Sequence, residues 1–236
     1  MDLTAGPVTH DGDTADMVAA REALQAGGHL DFIADAIAAA LPEPANGLAV
    51  EVGAGTGYHL ARTLDARPDL HGLAVDVAKP ALRRAARAHP RMAAIRADVW
   101  RGLPIADGAA TAVLNVFAPR SGAEFHRILD ASGVLIVVTP EPDHLSELVD
   151  ALGPIRVDPD KPERLQASLT PWFEPGPATR HAVPLKLSLV DAAALAAMGP
   201  SAHHLDAATR EARLRAAPEP FATTAAVRIC QWRRIR

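Results

Sequence analysis

The sequence predicts an α/β fold: a mostly parallel sheet of seven strands preceded by a helical segment. Three observations predict it. Short apolar runs alternate with stretches of helical spacing from residue 47 onward, the pattern of strands joined by crossover helices. The first of these runs ends in a glycine cluster, as a buried parallel strand does where it turns into a helix. Two late runs alternate apolar with polar residues, which suits an antiparallel pair added at one edge.

Taken in order, residues 1–12 carry Gly, Pro and Asp without periodicity and read as a loose arm. Asp13 or Thr14 can N-cap a helix that runs through Met17, Val18 and Leu24 to the Gly27-Gly28 stop. LDFIADAIAAAL at 30–41 places Phe32, Ile33, Ile37 and Leu41 on one helical face, and Pro42 and Pro44 end it. LAVEV is the first strand, and further strands are expected at 73–77, 93–97, 111–117 and 134–139, with helices over 80–88, 121–130 and near 143–151. A Pro-rich, charged stretch fills 154–180, and the late strands 182–190 and 224–232 flank helical segments at 191–198 and 206–216. Two parts are expected: an arm with helices over 1–45 that covers a ligand pocket, and an α/β domain over 46–236.

The 236 residues, 49% of them apolar, suffice for one buried core and exclude disorder throughout. Cys230 is the only cysteine, so this sequence forms neither an intramolecular disulfide nor a cysteine-based zinc cluster, and a cytoplasmic setting is expected. No basic segment precedes an apolar run in the first 20 residues, and no uncharged apolar window of about 18 occurs, so neither secretion nor membrane spanning is expected. The net charge of −4 lacks the positive excess usual in nucleic-acid binders. Arg228, Arg233, Arg234 and Arg236 read as solvated charges at a strand end. No serine-hydrolase elbow or HExxH is present.

The sharpest motif is Glu51-Val52-Gly53-Ala54-Gly55-Thr56-Gly57, between a strand and a helix. Glycines there let the backbone approach a ligand without an intervening Cβ. With Tyr58 next, the spacing is GxGxG, unlike the GxGxxG that cradles a diphosphate. Asp76 ends the following strand, placed to accept both hydroxyl hydrogens of a ribose, and Val77 follows it. Asp98, followed by Val99, ends the third strand, where it either accepts from an adenine amino group or caps a turn. Asn115-Val116-Phe117-Ala118-Pro119 ends the fourth and forms a floor for cofactor and substrate. A glycine turn, a ribose acid and an adenine acid with no diphosphate cradle match S-adenosylmethionine better than NAD or ATP, so methyl transfer is the expected reaction. His59 is read either as a contact to the donor's carboxylate or as a solvated helix residue. His144 is read as a residue near the pocket or a neighbour of an Asp143 cap, and Trp100, Trp172 and Trp232 are read as packing residues.

GDTADMVAAREAL and GGH within 12–29, VEVGAGTGYHLA, DVAKPALRRAARAHP, ADVW, LNVFAPR, TPEPDHL and the late MGPS together resemble the bacterial large-subunit ribosomal RNA guanine-N1-methyltransferases, especially the branch that confers resistance to tylosin-type macrolides. The resemblance spans roughly residues 11 to 230. It implies a class I, Rossmann-like methyltransferase fold and carries a cofactor role to Glu51, Gly53, Ala54, Gly55, Gly57, His59, Asp76, Val77, Asp98, Val99, Asn115, Val116 and Phe117. It carries a pocket-lid role to Met17, Arg21 and His29. Arg21, His29 and His203 are the candidate catalytic groups: Arg21 either holds a purine O6 or pairs with Asp13 or Asp16, and either histidine either stacks or shuttles a proton. Two departures stand out: the family's four-cysteine zinc module is not in this sequence, and His203 stands where the family tends to place an aromatic residue. The acceptor is expected to be large-subunit rRNA, with a small molecule as alternative and a catalytically silent donor-binding protein as a third reading; no membrane or metal partner is expected, and a homodimer is left open.

Overall fold

In the computed structural model, Thr14 adopts an extended conformation and accepts the N–H of Met17, which starts α1 (Ala15–Ala26). There follow α2 (Asp31–Ala40), β1 (Gly47–Val52), α3 (Tyr58–Ala66), β2 (Leu70–Asp76), α4 (Lys79–Ala88), β3 (Met92–Arg96), β4 (Ala110–Val116), α5 (Gly122–Ile128), β5 (Leu129–Pro140) and α6 (Ser146–Leu152). The chain closes with β6 (Phe173–Leu187), α7 (Leu189–Met198), α8 (Ala207–Arg215) and β7 (Phe221–Arg234). The structure describes residues 1–3, 12–152, 166–198 and 207–235; His203 lies outside the described residues.

All seven strands join one sheet in the order β3-β2-β1-β4-β5-β7-β6. The first five are parallel, and β7 runs antiparallel between β5 and β6. The order reverses between β1 and β4, and it is outside the carboxyl ends of such strands that open α/β sheets bind ligands. The central strands are covered on both faces. Ala112, Leu114 and Val116 enter one cluster with Ile33, Ile37, Leu60 and Leu64, while Val113, Leu135 and Val137 enter the other with Phe125 and Ile128. Burial on both sides is why these strands read as continuous apolar runs. Leu24, Leu30, Ile33, Ile37 and Leu41 of the N-terminal helices belong to the first cluster, so those helices share the core of the sheet.

Three expectations need correction. The arm is not loose at its start: Leu3 N–H donates to Arg96 O at 2.9 Å and Arg96 N–H to Met1 O at 2.7 Å, so residues 1–3 pair with the end of β3. The Pro-rich stretch does not stay irregular to residue 180, because β6 begins at Phe173. Among the described residues it is an edge strand, where prolines are tolerated because one side of the backbone joins no ladder, and its register shifts between Pro175 and Ala178. The tryptophans also divide: Trp232 is buried, whereas Trp100 is 52% and Trp172 39% exposed. Apolar neighbours in sequence do not bury a residue that sits in a turn.

The α3–β2 connection is held by one side chain. The Arg91 guanidinium donates to the carbonyls of Leu64, Arg67, Pro68 and Leu70, and so gathers the end of α3, the turn and the start of β2 onto one charged group. Arg91→Met is expected to lower stability by about 1–3 kcal/mol in a denaturant melt, the range for stranding charge-assisted bonds.

Candidate functional site

After β1 the backbone N–H groups of Gly53 and Ala54 both donate to Val75 O, at 2.8 and 3.0 Å, which ties the glycine loop to the end of β2. Gly53 has φ +74°, and a Cβ there would fall 2.4 Å from the Cβ of Ala118, so only glycine lets this loop lie against the loop after β4. Gly55 has φ +55°, and a Cβ there would meet only the Arg21 guanidinium, at 3.1 Å. Its N–H donates to Asp76 Oδ2 at 2.8 Å, and Ala78 N–H donates to Asp76 Oδ1 at 2.8 Å. The Asp76 carboxylate is thus fixed by two backbone donors and keeps acceptor capacity on both oxygens.

Beneath and behind the loop lie two groups held neutral. Glu51 is buried and accepts Leu60 N–H at 3.2 Å; burial, assisted by the nearby Asp76 charge, pushes its carboxyl up to about 8. His59 is half-buried with an unpartnered, fully covered Nδ1, and burial together with Arg21 and Arg62 pushes its imidazole down to about 4. The solvated reading of His59 is therefore corrected.

The N-terminal helices reach this loop. Thr56 Oγ1 donates to Gln25 Oε1 at 2.7 Å, Tyr58 OH donates to Asp31, and Arg62 lies 3.2 Å from Asp31 and 3.4 Å from Asp35. Arg21 pairs with Asp13 at 2.7 Å while its guanidinium lies at Gly55, which combines the pairing alternative with a place beside the loop. Met17 is half-buried in the first turn of α1. His29 lies 3.5 Å from Asp191 of α7, its polar partner among the described residues.

At the neighbouring strand ends, Asp98 is buried and its Oδ1 accepts Trp100 N–H at 3.0 Å at the head of a short 3-10 turn, so the capping alternative holds. Asn115 is wholly buried; its Nδ2 donates to Val52 O at 3.3 Å and Pro119 O at 2.9 Å, and its Oδ1 has no partner. Phe117 has φ +51°, rare for a bulky residue, is 45% exposed, and its ring centroid lies 5.8 Å from that of His144. His144 accepts Ala226 N–H at its Nδ1, at 3.1 Å, and burial lowers its basicity. Ala54 and Val116 are buried in the first core cluster and Val99 in the second, while half-buried Val77 offers its carbonyl to Arg96.

Sequence reasoning missed three features. Gln25 meets Thr56 across 31 positions, which no local pattern signals. Trp100 is exposed at the end of β3, which its place after Asp98 could have suggested. Arg120 follows the NVFAP turn, donates from Nη2 to Ala118 O at 3.2 Å, and leaves Nη1 buried without a partner. Among the described residues no three His, Cys, Asp or Glu side chains converge as a metal site, and no helix is long and apolar enough to cross a membrane.

Similarity to known proteins is extensive. A Micromonospora griseorubida protein named as a candidate 23S rRNA (guanine-N(1)-)-methyltransferase is 49% identical over 251 residues, covering all of this chain and 85% of its own length. The 23S rRNA (guanine(748)-N(1))-methyltransferase of Streptomyces fradiae is 47% identical over 210 residues, covering 87% of this chain and 75% of its own. Among solved structures, the complex of a Haloferax volcanii Trm112 methyltransferase activator with a candidate methyltransferase matches with a TM-score of 0.60 at 15% identity, over 96% of this chain and 100% of that one. Geranyl diphosphate methyltransferase in complex with SAM gives 0.51 at 15%, over 96% and 93%. At these identities the structural likeness is one of fold, a class I methyltransferase sheet. No family model matches the chain.

The burial of Glu51 sets a pH dependence. Its folded value of about 8 lies above the ordinary 4.5, so the fold favours the protonated form, and the cost of ionising it is absent below about 4.5 and complete above about 8. Stability therefore falls as pH rises through that window. Glu51→Gln is expected to flatten the fall and to gain on the order of a few kcal/mol relative to the unsubstituted protein at its alkaline end, measured by denaturant melts across pH.

Proposed function

The chain belongs to the family of 23S rRNA (guanine-N1)-methyltransferases, and from that premise we propose that it transfers a methyl group from S-adenosylmethionine to N1 of a guanine in large-subunit rRNA, in the cytoplasm. The observation that carries the reading is the Asp76 carboxylate, held at the end of β2 by the N–H groups of Gly55 and Ala78 with acceptor capacity left for a ribose. The residues around it fit the donor. The space at Gly55 admits a ligand that a Cβ would obstruct, and the covered Nδ1 of His59 lacks a partner that a ligand group can supply.

In this reading Asp76 accepts from both ribose hydroxyls and Asp98 accepts from the adenine amino group. Arg21 and His59 attend the carboxylate of the methionine end, and Glu51 attends its ammonium. Val77 and Val99 line the pocket through backbone, Val116 and Asn115 support its floor, and Phe117 forms the surface between donor and acceptor. Met17 and Arg21 act as the cover, with His29 anchoring that cover to α7. The donor supplies a methyl group on a positively charged sulfonium, whose departure leaves a neutral thioether. The chain's own residues align the acceptor with that methyl, and alignment alone contributes a large part of such rate gains. The branch that the sequence resembles extends the proposal to protection of the ribosome against tylosin-type macrolides.

Calorimetric titration tests the donor assignment: Asp76→Ala is expected to weaken S-adenosylmethionine and its demethylated product by about 1.5–3 kcal/mol, and Gly55→Val to abolish binding in a protein that still unfolds cooperatively. Unchanged affinity in a folded Asp76→Ala variant removes the ribose role. For the acceptor, label from the donor is expected in a large-subunit rRNA hairpin, with salt-sensitive binding, and it is expected to vanish when the target guanine is replaced by adenine. Label found only in a small-molecule extract moves the assignment to that class.

A further inference from the structure

We propose that Arg120 is the group that binds O6 of the acceptor guanine and holds the charge that appears there as N1 loses its proton, with the exposed ring of Phe117 as the face on which the base lies. The inference rests on the guanine-N1 reading and deepens it.

A guanidinium with a buried N–H ordinarily finds a carboxylate or a second acceptor, because a covered donor left unmade is costly. Arg120 has neither among the described residues. Its Nη2 donates to Ala118 O at 3.2 Å, Nη1 is covered and unpartnered, and burial without any facing carboxylate lowers its basicity to about 10. Its position is built. Asn115 Nδ2 bonds both Val52 O and Pro119 O, which fixes the turn between β4 and Arg120, and Ala118 lies directly against Gly53, so this turn abuts the donor loop. Phe117, between those two anchors, keeps its ring 45% exposed at φ +51°, a conformation that a bulky residue holds only when its surroundings impose it. An exposed aromatic face and, three residues on in the same turn, a donor in want of an acceptor are the two groups that an unstacked purine requires. Arg21, the other arginine considered for this role, is engaged with Asp13 at the glycine loop.

The chemistry balances without a further reagent. Water takes the N1 proton, and the resulting anion is shared between N1 and O6, where the guanidinium stabilises it. The N1 lone pair then forms the bond to the methyl carbon, and the carbon–sulfur pair returns to sulfur. Lowering the cost of the anion raises kcat, because the interaction strengthens as the charge develops.

The test is steady-state methylation of the large-subunit hairpin by the full chain and by Arg120→Met and Arg120→Lys, from neutral to alkaline pH, with calorimetric donor titration of each. Arg120→Met is expected to lose about 10²–10³-fold in kcat at neutral pH, as for loss of one oxyanion donor, with donor affinity kept. The loss shrinks as pH approaches guanine's own N1 ionisation, and Arg120→Lys retains part of the rate. A kcat within about twofold of the unsubstituted protein overturns the inference. So does a loss equal at every pH, a loss confined to donor affinity, or a loss confined to KM with a smaller salt slope, which marks a phosphate contact. Absence of guanine methylation by the unsubstituted protein overturns instead the reading on which the inference rests.

Discussion

The bond from Gly55 N–H to Asp76 is the contact on which the carboxyl edge of the sheet depends. It joins the turn after β1 to the end of β2, while Gly53 brings the same turn against Ala118 after β4. Three strand ends are thereby set relative to one another by backbone groups, whose positions vary less than those of long side chains. Asp76, Phe117 and Arg120, proposed to read the ribose and the acceptor, lie at or just after two of those ends, so their spacing is inherited from the sheet.

Much of this was legible in the sequence because parallel strands leave a plain trace. β1, β4 and β5 are covered on both faces, so each appears as a mainly apolar run, and the glycines after β1 and the acids at the ends of β2 and β3 mark the edge. Less was legible wherever the deciding neighbour is remote. Pro175 and Pro177 read as loop residues, yet β7 supplies the pairing that makes a strand of Phe173–Leu187. Trp100 and Trp232 look alike in sequence; a turn exposes one and the sheet covers the other. Of the two fates that its spacing offered Arg21, the structure shows the pairing with Asp13 and sets the guanidinium beside Gly55. Arg120 carried no local signal beyond a preceding proline turn, since its significance lies in an atom that lacks a partner.

The electrostatics divide along the same edge. Under the glycine loop, burial favours the uncharged forms of Glu51 and His59, so neither sets an ionised group in an apolar crevice. A ligand bearing both an ammonium and a carboxylate brings charges that such groups can meet by shifting their own protonation. Past β4 the arrangement is the reverse: Arg120 keeps a full charge with little to neutralise it, a site suited to an acceptor that becomes negative only during reaction.

The outer strand has a consequence for colloidal behaviour. Among the described residues β6 pairs with β7 on one side and with no strand on the other, and an open strand edge is a template on which further chains can polymerise. Pro175, Pro177 and Pro184 remove three N–H donors from its fifteen residues, and Arg180 and Lys186 add charge along it. A second chain laid alongside meets gaps in the ladder where the prolines stand, which weakens sheet extension past β6. Crowded copies of this protein are thereby less prone to template fibrils on one another.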